Sequence, residues 1–153
     1  MGLQKFIGKH FEESRNSSRK TGYQKLQIGK LGEKATRIYL ENNDYQIISE
    51  NWRCRAGEID IVAIKENTLS FIEVKTRSRA SADRFSPFEA VDYKKERKIR
   101  RLAEIYLHYH AREIESIGIR KVQYDIAGAL YRRDYANKKI CFEIRYLKEA
   151  FTF

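Results

Sequence analysis

Gly57-Glu58-Ile59-Asp60-Ile61-Val62-Ala63-Ile64-Lys65-Glu66-Asn67-Thr68-Leu69-Ser70-Phe71-Ile72-Glu73-Val74-Lys75 reads as two apolar strands joined by a short polar turn. Both strands, residues 58–64 and 69–75, carry apolar residues on both faces. A strand covered on both sides is a central strand, where carboxylates are rarely left unpaired. Asp60 and Glu73 nevertheless fall inside these runs. A two-residue turn centred on Glu66 and Asn67 sets Ile64 opposite Leu69, Val62 opposite Phe71 and Asp60 opposite Glu73. Asn tolerates positive φ, whereas Glu fits the first turn position poorly, so a looser turn stays open.

Two carboxylates directly opposite one another, with Cβ atoms about 5 Å apart, repel. Partial burial makes that costly unless a cation sits between them or one is protonated. Mg²⁺ or Mn²⁺ meets this need, because a hard ion of this kind uses one or two carboxylates together with substrate phosphate. Lys75 lies two residues beyond Glu73, so it emerges on the same face, opposite Glu58. Asp, Glu and Lys converging on a phosphodiester suit metal-assisted hydrolysis. A purely structural account is equally available from spacing. Lys75 and Glu58 can form a cross-strand salt bridge, and Asp60 can accept backbone N–H groups at a strand end.

Outward from this pair, residues 26–42 show helical spacing through Leu31, Ala35, Ile38 and Tyr39, with a stop at Asn42-Asn43. Glu33 shares the polar side with Lys30 and Arg37, and an i,i+4 pair with Arg37 accounts for it. Residues 45–53 read as a strand. Ser86-Pro87-Phe88-Glu89 is a capping box with Pro at the first helical position, and it predicts a helix running to about residue 110. Its apolar stripe is Ile99, Leu102, Ala103, Tyr106 and Leu107; Lys94, Lys95, Lys98 and Arg101 form another face. Residues 121–130 and 139–146 read as two further strands. Residues 1–25 read as a basic arm, flexible or partly helical over residues 3–11, ahead of a single domain over residues 26–153.

The chain has 153 residues with 31 Lys and Arg against 21 Asp and Glu, a net charge of +10. That sign favours a polyanionic partner. The basic runs, set beside Tyr93, Tyr131 and Tyr135, favour nucleic acid over a solvated face. No apolar run reaches the roughly 20 residues of a membrane helix. Lys5, Lys9 and His10 interrupt any signal-like stretch. Cys54 and Cys141 lie far apart, which fits a reduced, cytoplasmic protein, and the three histidines have no zinc spacing.

Gly32-Glu33-Lys34-Ala35, Asn51-Trp52-Arg53, Gly57-Glu58-Ile59-Asp60, Phe71-Ile72-Glu73-Val74-Lys75-Thr76-Arg77 and Glu89-Ala90-Val91 with Lys94 occur in that order. As an ordered set they resemble the YraN-like uncharacterised protein family. That family is similar to Holliday-junction resolvases and the wider PD-(D/E)xK, restriction-endonuclease-like nucleases. The likeness covers residues 27–151. It implies an α/β restriction-endonuclease-like core: a mixed β-sheet of three antiparallel strands, a crossover helix and further strands, flanked by helices. It also implies Asp60 and Glu73 as ligands of Mg²⁺ (or Mn²⁺), completed by the Val74 carbonyl. Lys75 would be the catalytic lysine and Glu33 a glutamate approaching the metal. Thr76, Arg77, Lys94, Lys98 and Arg101 are the expected nucleic-acid contacts. Gln123-Tyr124-Asp125 departs from the usual Arg-Phe-Asp, so an arginine contact is absent.

The expectation is therefore a cytoplasmic, metal-dependent deoxyribonuclease-like protein with no membrane partner. Branched DNA and a homodimer come from the resolvase likeness alone. Two alternatives stand: an inactive nucleic-acid-binding or scaffold protein on the same fold, and an interaction module whose charge serves solubility.

Overall fold

A computed structural model of the chain describes residues 4–12, 21–81 and 93–153. In chain order the elements are β1 (Gln4–Glu12), α1 (Thr21–Glu41), β2 (Gln46–Cys54), β3 (Gly57–Lys65), β4 (Thr68–Ser78), α2 (Tyr93–Tyr109), α3 (Ala111–Ile117), β5 (Lys121–Asp134) and β6 (Lys139–Thr152). They build one six-stranded mixed sheet in the order β1-β6-β5-β4-β3-β2. β2, β3 and β4 run antiparallel, the crossover through α2 and α3 brings β5 parallel to β4, and β6 returns antiparallel. The α/β architecture expected from the sequence, with its restriction-endonuclease-like order of strands, is present.

The core lies in two layers because the inner strands are apolar on both faces. On one side Ile61, Ala63, Ile72, Ala127 and Ala129 pack under α1 through Ile28, Ala35, Tyr39 and Leu40. On the other, Val62, Ile64, Leu69, Phe71 and Ile126 pack under α2 through Leu102, Ala103 and Tyr106. The α2 stripe matches the expected one. The α1 stripe also takes Ile28, one turn before Leu31, and Leu40, beside Tyr39, while Ile38 stays half-buried.

α1 ends at the predicted asparagines. Asn43 Nδ2 donates to the Tyr39 carbonyl at 2.8 Å, Asp44 takes a left-handed φ of 63°, and Tyr45 N–H closes back on Leu40. These bonds satisfy carbonyls that the last helical turn leaves open.

The β3–β4 register is the predicted one, from Lys65 opposite Thr68 to Ile61 opposite Ile72. In the turn Glu66, not Asn67, takes the positive φ of 56°. The Asn67 carbonyl is committed elsewhere: it accepts the N–H groups of Arg120 and Lys121 and so pins the start of β5 beside β4.

Four expectations change. α1 starts at Thr21, inside the predicted arm, and not at residue 26. Residues 4–12 form an edge strand on β6, not a partial helix. Phe11 explains part of this, since its ring packs edge-on against Phe142 of the core. The second helix is followed after His110 by a separate short helix, α3, that periodicity did not single out. β5 and β6 run on to Asp134 and Thr152, beyond the predicted strand ends. The capping box at Ser86-Pro87-Phe88-Glu89 and the Glu89-Ala90-Val91 motif lie outside the described residues.

Candidate functional site

The ladder between β3 and β4 stops at Ile61 and Ile72. One residue further the strands part, and the Asp60 side chain fills the gap: its Oδ2 accepts the Val74 N–H at 2.8 Å. Asp60 and Glu73 therefore do not sit as a paired couple in the ladder. The carboxylate replaces a missing sheet partner, one of the structural roles that spacing alone allowed. A cleft of about 400 Å³ opens at this splay, lined by Glu33, Glu58, Asp60, Glu73 and Val74 with Lys95, Lys98 and Tyr124.

Each residue arrives from a different element. Glu33 comes from the α1 layer. Its expected pairing with Arg37 is not made, because Arg37 bonds Glu41 and Glu50, both at 3.1 Å. Gly32 sets the approach of α1. A Cβ there would overlap the Thr76 hydroxyl and lie 3.1 Å from Thr76 Cβ. Thr76 is thus a packing contact for α1, and Arg77 is exposed with its guanidinium on the Thr76 carbonyl. Neither lines the cleft. Gly32→Ala is expected to push α1 off β4, lowering stability by about 1–3 kcal/mol and moving Glu33 away from Asp60. Thermal melting measures this; partial recovery in Gly32→Ala/Thr76→Ala is required, since that change removes the overlapping hydroxyl.

Glu73 is engaged twice. Lys95 of α2 donates to Oε1 at 2.7 Å, and the Tyr124 hydroxyl donates to Oε2. Lys95 belonged to the recognised basic face of the helix, but periodicity could not single it out from Lys94 or Lys98. Tyr124 was visible only as a departure from the Arg-Phe-Asp pattern. The structure gives that departure meaning: the extra hydroxyl reaches Glu73. Its neighbour Gln123 turns the other way, donating to the fully buried Asp125, which also takes the Tyr146 hydroxyl and the Glu149 N–H. Lys75 stands beside Lys95 and Glu73. Its predicted partner Glu58 pairs instead with Arg53 at 3.1 Å. Lys94 and Arg101 line a separate groove on the outer side of α2, and Lys98 lines both.

The electrostatics follow from this crowding. Burial pushes the Asp60 carboxyl up to about 6; the Val74 N–H opposes, and Glu33, Glu73 and Glu58 add repulsion. Burial also acts against the Glu73 carboxylate, but the bonds from Lys95 and Tyr124 outweigh it and hold the group below the usual range. Burial and then the Lys95 charge hold the Lys75 amine below the ordinary lysine value. Glu73 opposes this shift, and the net result is a lysine that gives up its proton more readily than usual, which suits it to handling a proton.

The donor set is hard oxygen throughout, which suits Mg²⁺ or Mn²⁺ rather than a soft metal. Among the described residues no three His, Cys, Asp or Glu side chains converge closely enough to hold an ion by themselves. Any ion here would need main-chain and phosphate oxygens as well. An extended residue directs its N–H and C=O to the same edge of the strand. The Val74 carbonyl accordingly faces the same opening as its N–H.

A mixed sheet with this strand order and a carboxylate cleft at the splay of its central hairpin defines a restriction-endonuclease-like α/β domain. The chain belongs to the uncharacterised protein family UPF0102, whose model matches residues 32–129, a stretch that contains every cleft-lining residue. It is 34% identical to a UPF0102 protein of Chlorobium chlorochromatii over 82% of this chain and 91% of that one. A UPF0102 protein of Clostridium perfringens is 36% identical over 81% and 93%. One of Alkaliphilus oremlandii is 49% identical over 52% and 67%. Among the described residues no helix is long and apolar enough to cross a membrane.

Proposed function

We propose that the protein is a divalent-metal-dependent nuclease that hydrolyses DNA phosphodiester bonds at the β3–β4 splay. The observation that carries this reading is the meeting of Glu33, Asp60, Glu73 and Val74 in one cleft with Lys75 at its side. Asp60, Glu73 and the Val74 carbonyl would hold Mg²⁺ or Mn²⁺. The ion would supply Lewis acidity and an activated water. Asp60 stays anchored through the Val74 N–H, which fixes the direction of its second oxygen. Tyr124 orients Glu73 from the β5 side. Lys75, which loses its proton more readily than usual, positions the attacking water and as the neutral amine takes up its proton. Glu33 accepts a hydrogen bond from that water, and Lys98 at the cleft rim attracts the phosphate.

A second reading keeps the fold without the chemistry: a nucleic-acid-binding or scaffold protein. The engagement of both Glu73 oxygens by Lys95 and Tyr124 favours it. One assay separates the two. Labelled single-stranded, duplex, flap and four-way DNA are incubated with the protein and Mg²⁺ or Mn²⁺. Cleavage is expected in the wild type and is expected to vanish in Asp60→Ala and Lys75→Ala. Binding without cleavage in either metal would establish the scaffold reading, and cleavage surviving in both variants would expose a contaminant.

A further inference from the structure

The outward face of α2 serves neither core layer. Together with Arg55 of the β2–β3 turn it forms a groove of about 1140 Å³. Lys94, Arg97, Lys98 and Arg101 fall in one stripe at three- and four-residue spacing. Like charges at that spacing disfavour an isolated helix. Among the described residues, Glu104 is the only carboxylate lining the groove. Several cations elsewhere, Arg37, Arg53, Lys95, Arg100, Lys121 and Arg145, meet carboxylates. No such pair forms for the groove's Arg55, Lys94, Lys98 or Arg101 among the described residues.

Two further features orient the groove. At its far end Tyr109 is 75% exposed, an aromatic ring with an open face. At its near end Lys98 lines both groove and acidic cleft. Gly57, at φ 145°, permits this passage, because a Cβ there would lie 3.2 Å from Lys98 Cε.

We propose that this groove binds a single strand of nucleic acid. The phosphates run along Arg55, Arg97 and Arg101, a base stacks on Tyr109, and Lys98 hands the backbone to the cleft. An exposed ring can stack on an unpaired base, whereas a duplex covers its base faces internally. The stripe from Lys94 to Tyr109 spans about 22 Å at 1.5 Å per residue, room for about six stacked nucleotides. Delivery of a phosphate to the cleft rests on the nuclease reading; binding in the groove does not.

The test is fluorescence anisotropy with a labelled 12-nucleotide single strand in EDTA, across a salt series, with a duplex of the same sequence beside it. The single strand is expected to bind more tightly. Arg97→Glu and Arg101→Glu should each weaken it at least about tenfold and flatten the log–log salt slope by about 0.7 per contact. Tyr109→Ala should weaken it about 5- to 100-fold with the slope unchanged. Arg132→Glu, an equal charge change on the exposed end of β5, should shift binding less than about threefold. Groove variants no weaker than Arg132→Glu, or a duplex bound at least as tightly, would overturn the groove. Asp60-dependent cleavage insensitive to the groove variants would overturn the delivery of the strand from groove to cleft while leaving the nuclease reading standing. Groove binding without cleavage in any metal would sustain the groove and remove the nuclease.

Discussion

Asp60→Asn is expected to make the protein more stable and at the same time inactive. The Asp60 carboxyl titrates near 6 in the folded chain because burial and three neighbouring carboxylates disfavour its charge. In the unfolded chain an aspartate titrates near 3.9. Its folded pKa is raised, so the native state holds the proton more tightly, and stability falls as pH climbs from about 4 to about 6. Above that range the full penalty remains. The shift corresponds to at most about 3 kcal/mol, and to about 1–2 kcal/mol after allowing for solvent relaxation. Asparagine keeps an oxygen for the Val74 N–H and carries no charge. In EDTA at pH 8 the variant should melt roughly 3–6 °C above the wild type. The difference should disappear below about pH 4. A variant that melts at or below the wild type at pH 8 would show that Asp60 is not electrostatically strained. Cleavage should fall by at least about 10³-fold, equivalent to about 4 kcal/mol of transition-state stabilisation. A residue that lowers stability in its native form is retained for what it binds, so the two signs together separate a working site from packing.

The second large effect separates the two lysines beside Glu73. Lys95 bonds Glu73 at 2.7 Å, and Lys75 stands beside both. Lys95 thus occupies the carboxylate that a metal ion would use. Lys95→Ala should let Mn²⁺ bind about 10- to 100-fold more tightly, because a charge-assisted bond worth about 1.5–3 kcal/mol no longer has to be displaced. Lys75→Ala should change Mn²⁺ affinity by less than about tenfold but reduce the cleavage rate by about 10²- to 10⁴-fold, the range of a lost general acid–base group. Titration calorimetry reads the first effect and single-turnover cleavage the second. Weaker Mn²⁺ binding in Lys95→Ala would mean that Lys95 holds Glu73 in place for the ion instead of competing with it.

The central hairpin was legible from residues 57–75 alone. Strand alternation has a period of two, and the turn length sets which residues face each other, so both properties are local. They led directly to Ile61 opposite Ile72, which the ladder keeps, and to Asp60 opposite Glu73, which it does not. The buried stripe of α2 was legible for the same reason, with a period of 3.6. Alternation also assumes that the ladder continues, and it does not continue past Ile61. The Asp60 bond to Val74 N–H follows from that splay, which the hairpin sequence does not encode.

Contacts across layers were not legible. Glu33 lay on a polar helix face where Arg37 was the nearest explanation. Only the docking of α1 through Gly32 on Thr76, with Arg37 drawn to Glu41 and Glu50, leaves Glu33 at the cleft. Lys95 and Tyr124 lie 22 and 51 residues from Glu73, and no periodicity links them to it. The edge strand β1 lay in a basic arm that reads as flexible or partly helical, and its pairing with β6 makes it a strand. By itself, then, the sequence determined the α/β order, the register of the central strands and the pair of acids beside a lysine. The tertiary structure alone decided which charges meet them, because helix packing on a sheet brings together side chains whose separation along the chain carries no period.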